Sequence, residues 1–297
     1  MTSGVVIINK EEGLTSQAVV NRVKRILGVS KAGHTGTLDP MATGVLPVLV
    51  GRGVKASEFM LTADKHYVAT LLLGVTTDTE DVTGQVLTES EDIPDEQTVL
   101  SAIAGFVGEY MQTPPMYSAL KVGGKKLCDL ARAGKEIERA ARPVHIYSIE
   151  ARAISDREYS LDVRCSKGTY IRTLCADIGA ALGCGGTMKT LMRATASGFT
   201  LGEAHTLSEL EAMSAEEREA VIYSVEHIFR EHEAVRLPAF FAKLAHSGLE
   251  IYQKKIGTSL PVGTLVRLLD GEGFFALGEV REYEEGTAIK PIRQFGE

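Results

Sequence analysis

The feature that most constrains this chain is the segment 33–50, GHTGTLDPMATGVLPVLV, in which glycine, proline and threonine surround a single carboxylate, Asp39. These residue types favour a shaped loop over a helix. Pro40 fixes its own φ and disfavours the α region for Asp39, so we expect the carboxylate to project from a stiff, extended backbone. The apolar run from Val45 to Val50 predicts a buried strand that anchors the loop. A turn without any chemical role is the alternative interpretation of the same composition.

Length and cysteine usage indicate the class of protein. A chain of 297 residues with 44% hydrophobic residues is long enough for one large domain and a small one. The four cysteines form no Cys-x-x-Cys pair and have no close histidine in the sequence, which argues against a zinc site and a disulfide scaffold. No stretch approaches the ~20 apolar residues that span a bilayer. We therefore expect a soluble protein of a reducing cytoplasm, with no membrane partner.

The charge is distributed unevenly along the chain. The net charge is −7, which by itself disfavours a nucleic-acid partner. However, residues 1–60 carry seven Lys/Arg against four acids, 112–146 seven against three, and 163–200 five against one. Residues 76–111 carry nine acids and no base. This pattern predicts a positive cleft on an acidic body, which suits binding of RNA; ordinary solvated faces are the alternative.

Hydrophobic periodicity places the elements around the candidate loop. Spacing of Val19, Val20 and Val23 predicts a helix that Thr15 or Ser16 caps and that ends before Gly28. Strands are predicted at 5–8, 67–73, 144–154 and 159–165, short helices at 54–61 and 97–107, and a flexible basic hairpin or arm at Lys121, Lys125 and Lys126. A helix after residue 173 places Tyr170 and Arg172 at a strand-to-helix junction, where side chains can face a cleft.

The last third of the chain changes character. Acidic helices are predicted at 207–213 and 215–231, followed by a helix within 238–249. Residues 264–269 and 274–280 flank Asp-Gly-Glu-Gly and are typical of a β-hairpin. We accordingly expect a boundary near residue 234.

Five stretches together resemble the tRNA pseudouridine synthases of the TruB type. They are GLTS at 13–16, GHTGTLDPMATGVLPV at 33–48, KHY at 65–67, PPMYSALK at 114–121 and CSKGTYIRT at 165–173. Their order along the chain is that of the family. Two departures are Glu11, where the family usually has proline after Lys10, and Cys128, where a tyrosine is common.

This resemblance implies an α+β fold. Residues 1–233 would form the catalytic domain, with a mainly antiparallel mixed sheet flanked by helices, and residues 234–297 a small β-rich domain of the RNA-binding PUA type. The implied activity is isomerisation of the T-loop uridine at position 55 of tRNA. The implied partner is the tRNA T arm, with the protein acting as a monomer.

The resemblance also implies roles for individual residues. Asp39 is the catalytic carboxylate, Arg172 the cation that orients it, and Tyr67 the aromatic residue that stacks on the target base and takes part in proton removal at C5. Tyr170 and Leu191 would line the uracil pocket, and His34 would enter the space left by the flipped base. The family's reaction needs no redox change or activated group, so no cofactor and no metal are expected.

Chemistry supports a carboxylate at the centre of such a reaction. Breaking a glycosidic bond and joining the sugar to C5 suits a group that attacks as a nucleophile or stabilises an oxocarbenium-like centre. Addition to the sugar, addition to the base and elimination all stay open. Two other classes are weighed: a phosphoryl-transfer enzyme, for which a P-loop and a magnesium-binding carboxylate set are missing, and a non-catalytic tRNA-binding or tRNA-folding protein, which would not require Asp39, Tyr67 and Arg172 together.

Overall fold

The computed structural model describes residues 2–118 and 120–296, with the side chains of Lys121 and Lys126 left out. The strands, in chain order, are β1 Gly4–Lys10, β2 Ala32–His34, β3 Thr43–Val50, β4 Lys65–Leu73, β5 Val75–Thr77, β6 Val86–Glu89, β7 Gly108–Gln112, β8 Lys121–Val122, β9 Lys125–Lys126, β10 Arg142–Ala153, β11 Glu158–Cys165, β12 Gly186–Ala196, β13 Phe199–Thr200, β14 Glu233–Arg236, β15 Ile251–Tyr252, β16 Leu265–Leu269, β17 Phe274–Tyr283 and β18 Gly286–Gln294. The helices are α1 Ser16–Ile26, α2 Ser57–Leu61, α3 Glu96–Ala104, α4 Leu127–Arg132, α5 Ile171–Leu182, α6 Leu207–Ala212, α7 Ala215–Ala220, α8 Val225–Ile228, α9 Ala239–His246 and α10 Gln253–Ile256, with 3-10 turns at Gly51–Ala56 and Leu201–Glu203.

A nine-stranded sheet carries the larger part of the fold. Its strand order is β1-β3-β12-β4-β11-β10-β7, with β2 added to β3 and β13 added to β12. The contact between β3 and β12 is parallel, and the other described pairs in this sheet are antiparallel. Strands β3 and β4 both pair with β12, which brings the loop before β3 close to the beginning of β4.

Local patterns account for the central elements. Side chains of β4 and β11 alternate between buried and partly exposed, as their sequences predict. In α1, the Thr15 side chain accepts a hydrogen bond from Ala18 N at 3.1 Å, and Val19, Val20 and Val23 are buried against the sheet. Gly28 follows the helix with a φ of 63°, so the predicted start and end of α1 are confirmed.

The predicted helix at 215–231 is wrong, because the structure divides it into α7 and α8. Between them, Tyr223 exchanges two backbone hydrogen bonds with Val5, each 2.9 Å long, which is incompatible with a continuous helix. Ser224 then caps α8 by accepting from His227 N at 3.1 Å. Residues 54–61 also differ from a single helix, since the 3-10 turn ends at Ala56 before α2 begins.

A second, five-stranded sheet of order β14-β16-β17-β18-β15 follows in the chain. The predicted hairpin is present as β16 and β17, and Asp270 stabilises its turn by accepting hydrogen bonds from the backbone N–H groups of Glu272 and Gly273. Its strands pack on α9 around a separate apolar core.

The two sheets share an apolar contact. Ala56 and Phe229 pack with Leu277 and Phe295 in one buried cluster. Polar contacts surround it, among them Lys55 Nζ to Gln294 O at 3.0 Å and the ion pair of Arg293 with Glu58. The second sheet is therefore joined to the first by buried side chains as well as by the chain itself. None of the helices in the described residues has the length and apolar content that crossing a membrane requires.

Candidate active site

Asp39 lies in the loop between β2 and β3, which several buried hydrogen bonds hold in place. The Lys10 ammonium donates to Pro40 O at 3.0 Å and to Ala42 O at 2.5 Å. The Ser16 hydroxyl donates to Leu38 O at 2.9 Å and accepts from Leu38 N at 2.8 Å. Strand β1 and helix α1 thus fix the loop on both sides of Asp39.

Gly44 shows why the loop can enter β3 at this point. Its φ is 101°, and a Cβ at this position would lie 2.3 Å from Arg193 O on the neighbouring strand. Only glycine allows that close approach of β3 and β12. The predicted strand at 45–50 is confirmed as part of β3, whose residues from Gly44 to Val50 are all buried.

The Asp39 carboxylate forms an ion pair with Arg172. The distance from Arg172 Nε to Asp39 Oδ2 is 3.1 Å; 32% of the Asp39 side chain is exposed, against 6% for Arg172. Burial raises the pKa of Asp39, and the adjacent Arg172 cation opposes this effect. Arg172 therefore lowers the pKa of Asp39 as expected, but desolvation of the carboxylate has the larger, opposite effect. Helix α5 begins at Ile171, earlier than the predicted start after residue 173, so that Tyr170 caps the helix and Arg172 lies in its first turn.

The rest of the Arg172 guanidinium binds other groups. Nη1 donates to Thr79 O at 2.9 Å and lies 3.5 Å from Asp81 Oδ2, while Nη2 donates to Tyr117 O at 2.7 Å. Arg172 is thus fixed from three directions. Because Nη1 and Nη2 bind the carbonyls of Thr79 and Tyr117, the orientation of the Arg172–Asp39 pair depends on the backbone of two distant segments.

Asp81 is a site residue that sequence reasoning missed. It is buried, and its Oδ1 accepts from Thr83 N at 2.9 Å and from the Thr79 hydroxyl at 2.9 Å. In the sequence, Asp78, Glu80 and Asp81 look like a weak metal cluster, and threonines beside an acid are too common to reveal a buried partner for an arginine. Within the described residues, no set of three or more His, Cys, Asp or Glu is arranged to hold a metal ion.

Tyr67 lies on β4 and points inward, as its alternation predicts. It faces Val163 on β11 and Arg193 on β12. Burial raises the pKa of the Tyr67 phenol, and the positive charge of Arg193 opposes that rise. The aromatic ring therefore sits in an apolar wall that contains a cation.

Asp39, Tyr67 and Arg172 border one cavity of about 290 Å³. Tyr170 and Leu191 also line it, so five of the six predicted site residues are brought together. The remaining described lining residues are Gly36, Thr37, Leu38, Leu61, Lys65, Tyr117, Ser118, Gly168, Thr169, Ile171 and Arg193. The lining combines apolar side chains with the charged groups of Asp39, Lys65, Arg172 and Arg193, which suits a flat polar ring with an anionic group beside it.

His34 is not among the described residues that line this cavity. It ends β2, opposite Val48 of β3, two residues before Gly36 at the cavity wall. The structure therefore places His34 next to the site, while the other five predicted residues border it directly.

Comparison with known proteins agrees with the fold. Residues 24–171 match the N-terminal domain of the TruB family pseudouridylate synthases, and residues 172–230 match the C-terminal domain of tRNA pseudouridylate synthase B. The protein called tRNA pseudouridine synthase B of Alkaliphilus oremlandii is 43% identical over 294 residues, which span 98% of each chain. That of Aromatoleum aromaticum is 43% identical over 280 residues, 94% of this chain and 89% of the relative.

Among solved structures, a chain of a Cbf5-Nop10-Gar1 complex has a TM-score of 0.75 and 28% identity over 99% of this chain and 85% of that one. The nine-stranded sheet with its cavity, and the joined β-rich unit, define a pseudouridylate synthase. The chain belongs to the TruB family. The predicted α+β fold class and enzyme class are thereby confirmed, and the non-catalytic alternative is not supported.

Proposed function

We propose that this enzyme isomerises uridine to pseudouridine at position 55, in the T loop of tRNA. The observation that carries this proposal is the Asp39 carboxylate, held 3.1 Å from Arg172 Nε at the wall of a cavity that Tyr67 also lines. The relatives named tRNA pseudouridine synthase B support tRNA as the substrate. We further propose that the enzyme acts as a monomer in the cytoplasm and recognises the T arm.

The target base must leave the stack of the folded T loop to reach Asp39. Flipping costs a few kcal/mol, and stacking on an aromatic side chain recovers about 1 to 3 kcal/mol per base. Tyr67 supplies that aromatic surface, with Tyr170 and Leu191 closing the pocket around the uracil. We assign His34, beside the cavity on β2, to the space that the flipped base vacates.

Asp39 acts in its ionised form. The Arg172 cation favours that form although burial disfavours it. The ionised carboxylate then attacks the sugar, attacks the base or assists elimination, and all three routes end with C5 of uracil bonded to C1′ of the ribose. The reaction exchanges bonds within one nucleotide, so no cofactor or metal is proposed.

Residues 1–233 would supply the chemistry and residues 234–297 would contribute to RNA binding as a PUA-like domain. In support, every described residue that lines the cavity lies between Gly36 and Arg193. The five-stranded sheet of the second part begins with β14 at Glu233.

A uridine-containing T-arm transcript tests the proposal. Incubation with the enzyme should yield pseudouridine, measured after nuclease digestion by chromatography and by tritium release from C5-tritiated uridine. Asp39→Asn preserves the size of the side chain and removes its charge, so it should abolish turnover and leave RNA binding intact. No product from the wild-type enzyme, or turnover by Asp39→Asn within about tenfold of wild type, would refute the assignment, because a nucleophile accounts for far more than tenfold.

A further inference from the structure

Arg193 is a buried cation to which the mechanism described above assigns no role. It lies on β12 with 1% of its surface exposed. Its Nε donates to Val45 O at 2.8 Å and its Nη2 to Gly36 O at 3.2 Å, and it lines the same cavity as Tyr67. Among the described ion pairs, none joins Arg193 to a carboxylate. A buried charge without an opposite charge is costly, so its position calls for a role.

Other cations surround the same point. Lys10 and Lys65 are both buried, and the charge of Arg193 helps to lower the pKa of each. Among the described residues that line the cavity, Asp39 is the carboxylate, and it is paired with Arg172. The wall beside Tyr67 therefore carries more positive than negative charge. Such an excess of positive charge stabilises an anion that appears only during the reaction.

Strand register fixes Arg193 relative to Tyr67. The two residues lie opposite each other where β12 pairs with β4, and Arg193 lies opposite Gly44 where β12 pairs with β3. Arg193 thus lies beside Tyr67, and its guanidinium reaches the Gly36 carbonyl of the Asp39 loop. Because β-sheet pairing holds Arg193 and Tyr67, the proximity of these two residues does not depend on a loop.

Resting on the proposed function, we propose that Arg193 is a positioning residue for the final proton transfer. It orients the Tyr67 oxygen toward C5 of the uracil and stabilises the negative charge on that oxygen. After C5 has joined C1′, C5 carries both the sugar and its original hydrogen. The Tyr67 phenol first releases its proton to solvent, which leaves a phenolate that the Arg193 cation stabilises. The phenolate then takes the C5 proton, the C–H electron pair forms the C5–C6 double bond, the C6–N1 double-bond pair moves to N1, and N1 gains a proton from solvent. The same atoms remain in the product, as an isomerisation requires.

Rates with two RNA substrates distinguish a role of Arg193 in proton transfer from a role in supporting the Asp39 loop. Uridine must lose the C5 proton, whereas 5-fluorouridine has no such proton and stops at the rearranged C-glycoside. Arg193→Gln removes the charge and keeps donors, and Arg193→Lys keeps the charge. With uridine RNA at saturating enzyme, Arg193→Gln should slow the single-turnover rate about a hundredfold and Arg193→Lys about tenfold, the range of lost acid–base catalysis. Rearrangement of 5-fluorouridine RNA should stay within about threefold of wild type, since no proton transfer is lost.

An isotope effect gives an independent readout. The measured quantity is the ratio of the single-turnover rates with uridine RNA and with 5-deuterouridine RNA. This ratio should be larger for Arg193→Gln than for wild type, because the slower proton transfer limits the rate more fully. A larger isotope effect in Arg193→Gln supports the proposal. A purely structural defect would leave the isotope effect unchanged.

Matched variants control for folding. Arg218 also donates to backbone carbonyls, those of Leu210, Ile26 and Glu211, but lies on α7 outside the cavity lining; Arg218→Lys should leave both rates unchanged. Tyr67→Phe should reproduce the substrate selectivity of Arg193→Gln. Circular dichroism spectra and thermal melting curves identify misfolded variants. If Arg193→Gln misfolds, the comparison of the two substrates is made with Arg193→Lys instead.

Equal slowing of both substrates, or of neither, would overturn the role of Arg193. Equal slowing of both substrates would mean that Arg193 only supports the Asp39 loop through its hydrogen bonds to the Gly36 and Val45 carbonyls. Absence of pseudouridine with the wild-type enzyme would instead refute the proposed function itself, so the two failures are distinguishable.

Discussion

Arg172 Nε lies 3.1 Å from Asp39 Oδ2, while the two terminal nitrogens of the guanidinium bind Thr79 O and Tyr117 O. The guanidinium therefore links three separate segments of the chain around one carboxylate. Its planar geometry matters because the three acceptors lie in different directions from the same side chain.

Arg172→Lys tests that geometry. Lysine keeps the charge but presents its donors from one nitrogen, so it cannot reproduce the contacts to Asp39, Thr79 and Tyr117 together. We expect the single-turnover rate to fall much more than RNA affinity, and by more than the ~0.2 to 1 kcal/mol of a surface ion pair. The measurement is a pair of values: the rate at saturating enzyme and the dissociation constant at fixed salt. A variant that binds weakly yet reacts normally once bound would make Arg172 a phosphate contact.

Asp81→Asn should shift the pH dependence of the chemical step. Burial raises the pKa of Asp39, so the rate should begin to fall at a higher pH than for an ordinary aspartate as the pH is lowered. The Asp81 carboxylate adds to that rise, and its removal should move the acidic limb to lower pH. Single-turnover rates between pH 4 and 8 measure the shift. Asp78→Asn is the control, because Asp78 is exposed and accepts a hydrogen bond from Gln85 N; an equal shift in both variants would contradict the assignment.

The lowered pKa of Lys10 predicts that the free energy of unfolding rises in alkaline solution. Burial lowers the pKa of Lys10 to about 8 in the folded protein, whereas an unfolded lysine titrates near ~10.4. Between these values the unfolded chain binds more protons, so folding becomes more favourable as the pH rises. Relative to Lys10→Met, the free energy of unfolding of wild type should increase by roughly 1 kcal/mol per pH unit between about pH 8 and 10. Urea denaturation of both proteins over this range measures it, and a flat or falling difference would be inconsistent with a buried, perturbed ammonium.

Phe229→Ala tests the joint between the two sheets. Phe229 is 2% exposed and contacts Phe59 edge-on at a centroid distance of 5.5 Å, in the cluster with Leu277 and Phe295. Truncation should cost about 3 to 5 kcal/mol of unfolding free energy. Phe240→Ala, at a side chain that is 67% exposed, should cost less than ~0.5 kcal/mol. Similar costs for the two variants would show that the joint contributes little to stability.

The local features of this molecule were predictable from sequence. The cap and glycine stop of α1, the alternation in β4 and the anchoring strand after the Asp39 loop all follow from side-chain periodicity and turn chemistry over a few residues. Five of the six predicted site residues were identified by their resemblance to the family and line one cavity in the folded chain: Asp39, Tyr67, Tyr170, Arg172 and Leu191.

Partners that are distant in the chain were not predictable in this way. Asp81 binds an arginine 91 residues away, and its own neighbours in sequence give no sign of that contact. Arg193 is buried because β12 runs between β3 and β4, an arrangement that strand pairing determines. The break between α7 and α8 has the same origin, since Tyr223 pairs with the first strand. Local propensity acts over a few residues, whereas burial and charge pairing depend on which segments the tertiary fold places side by side.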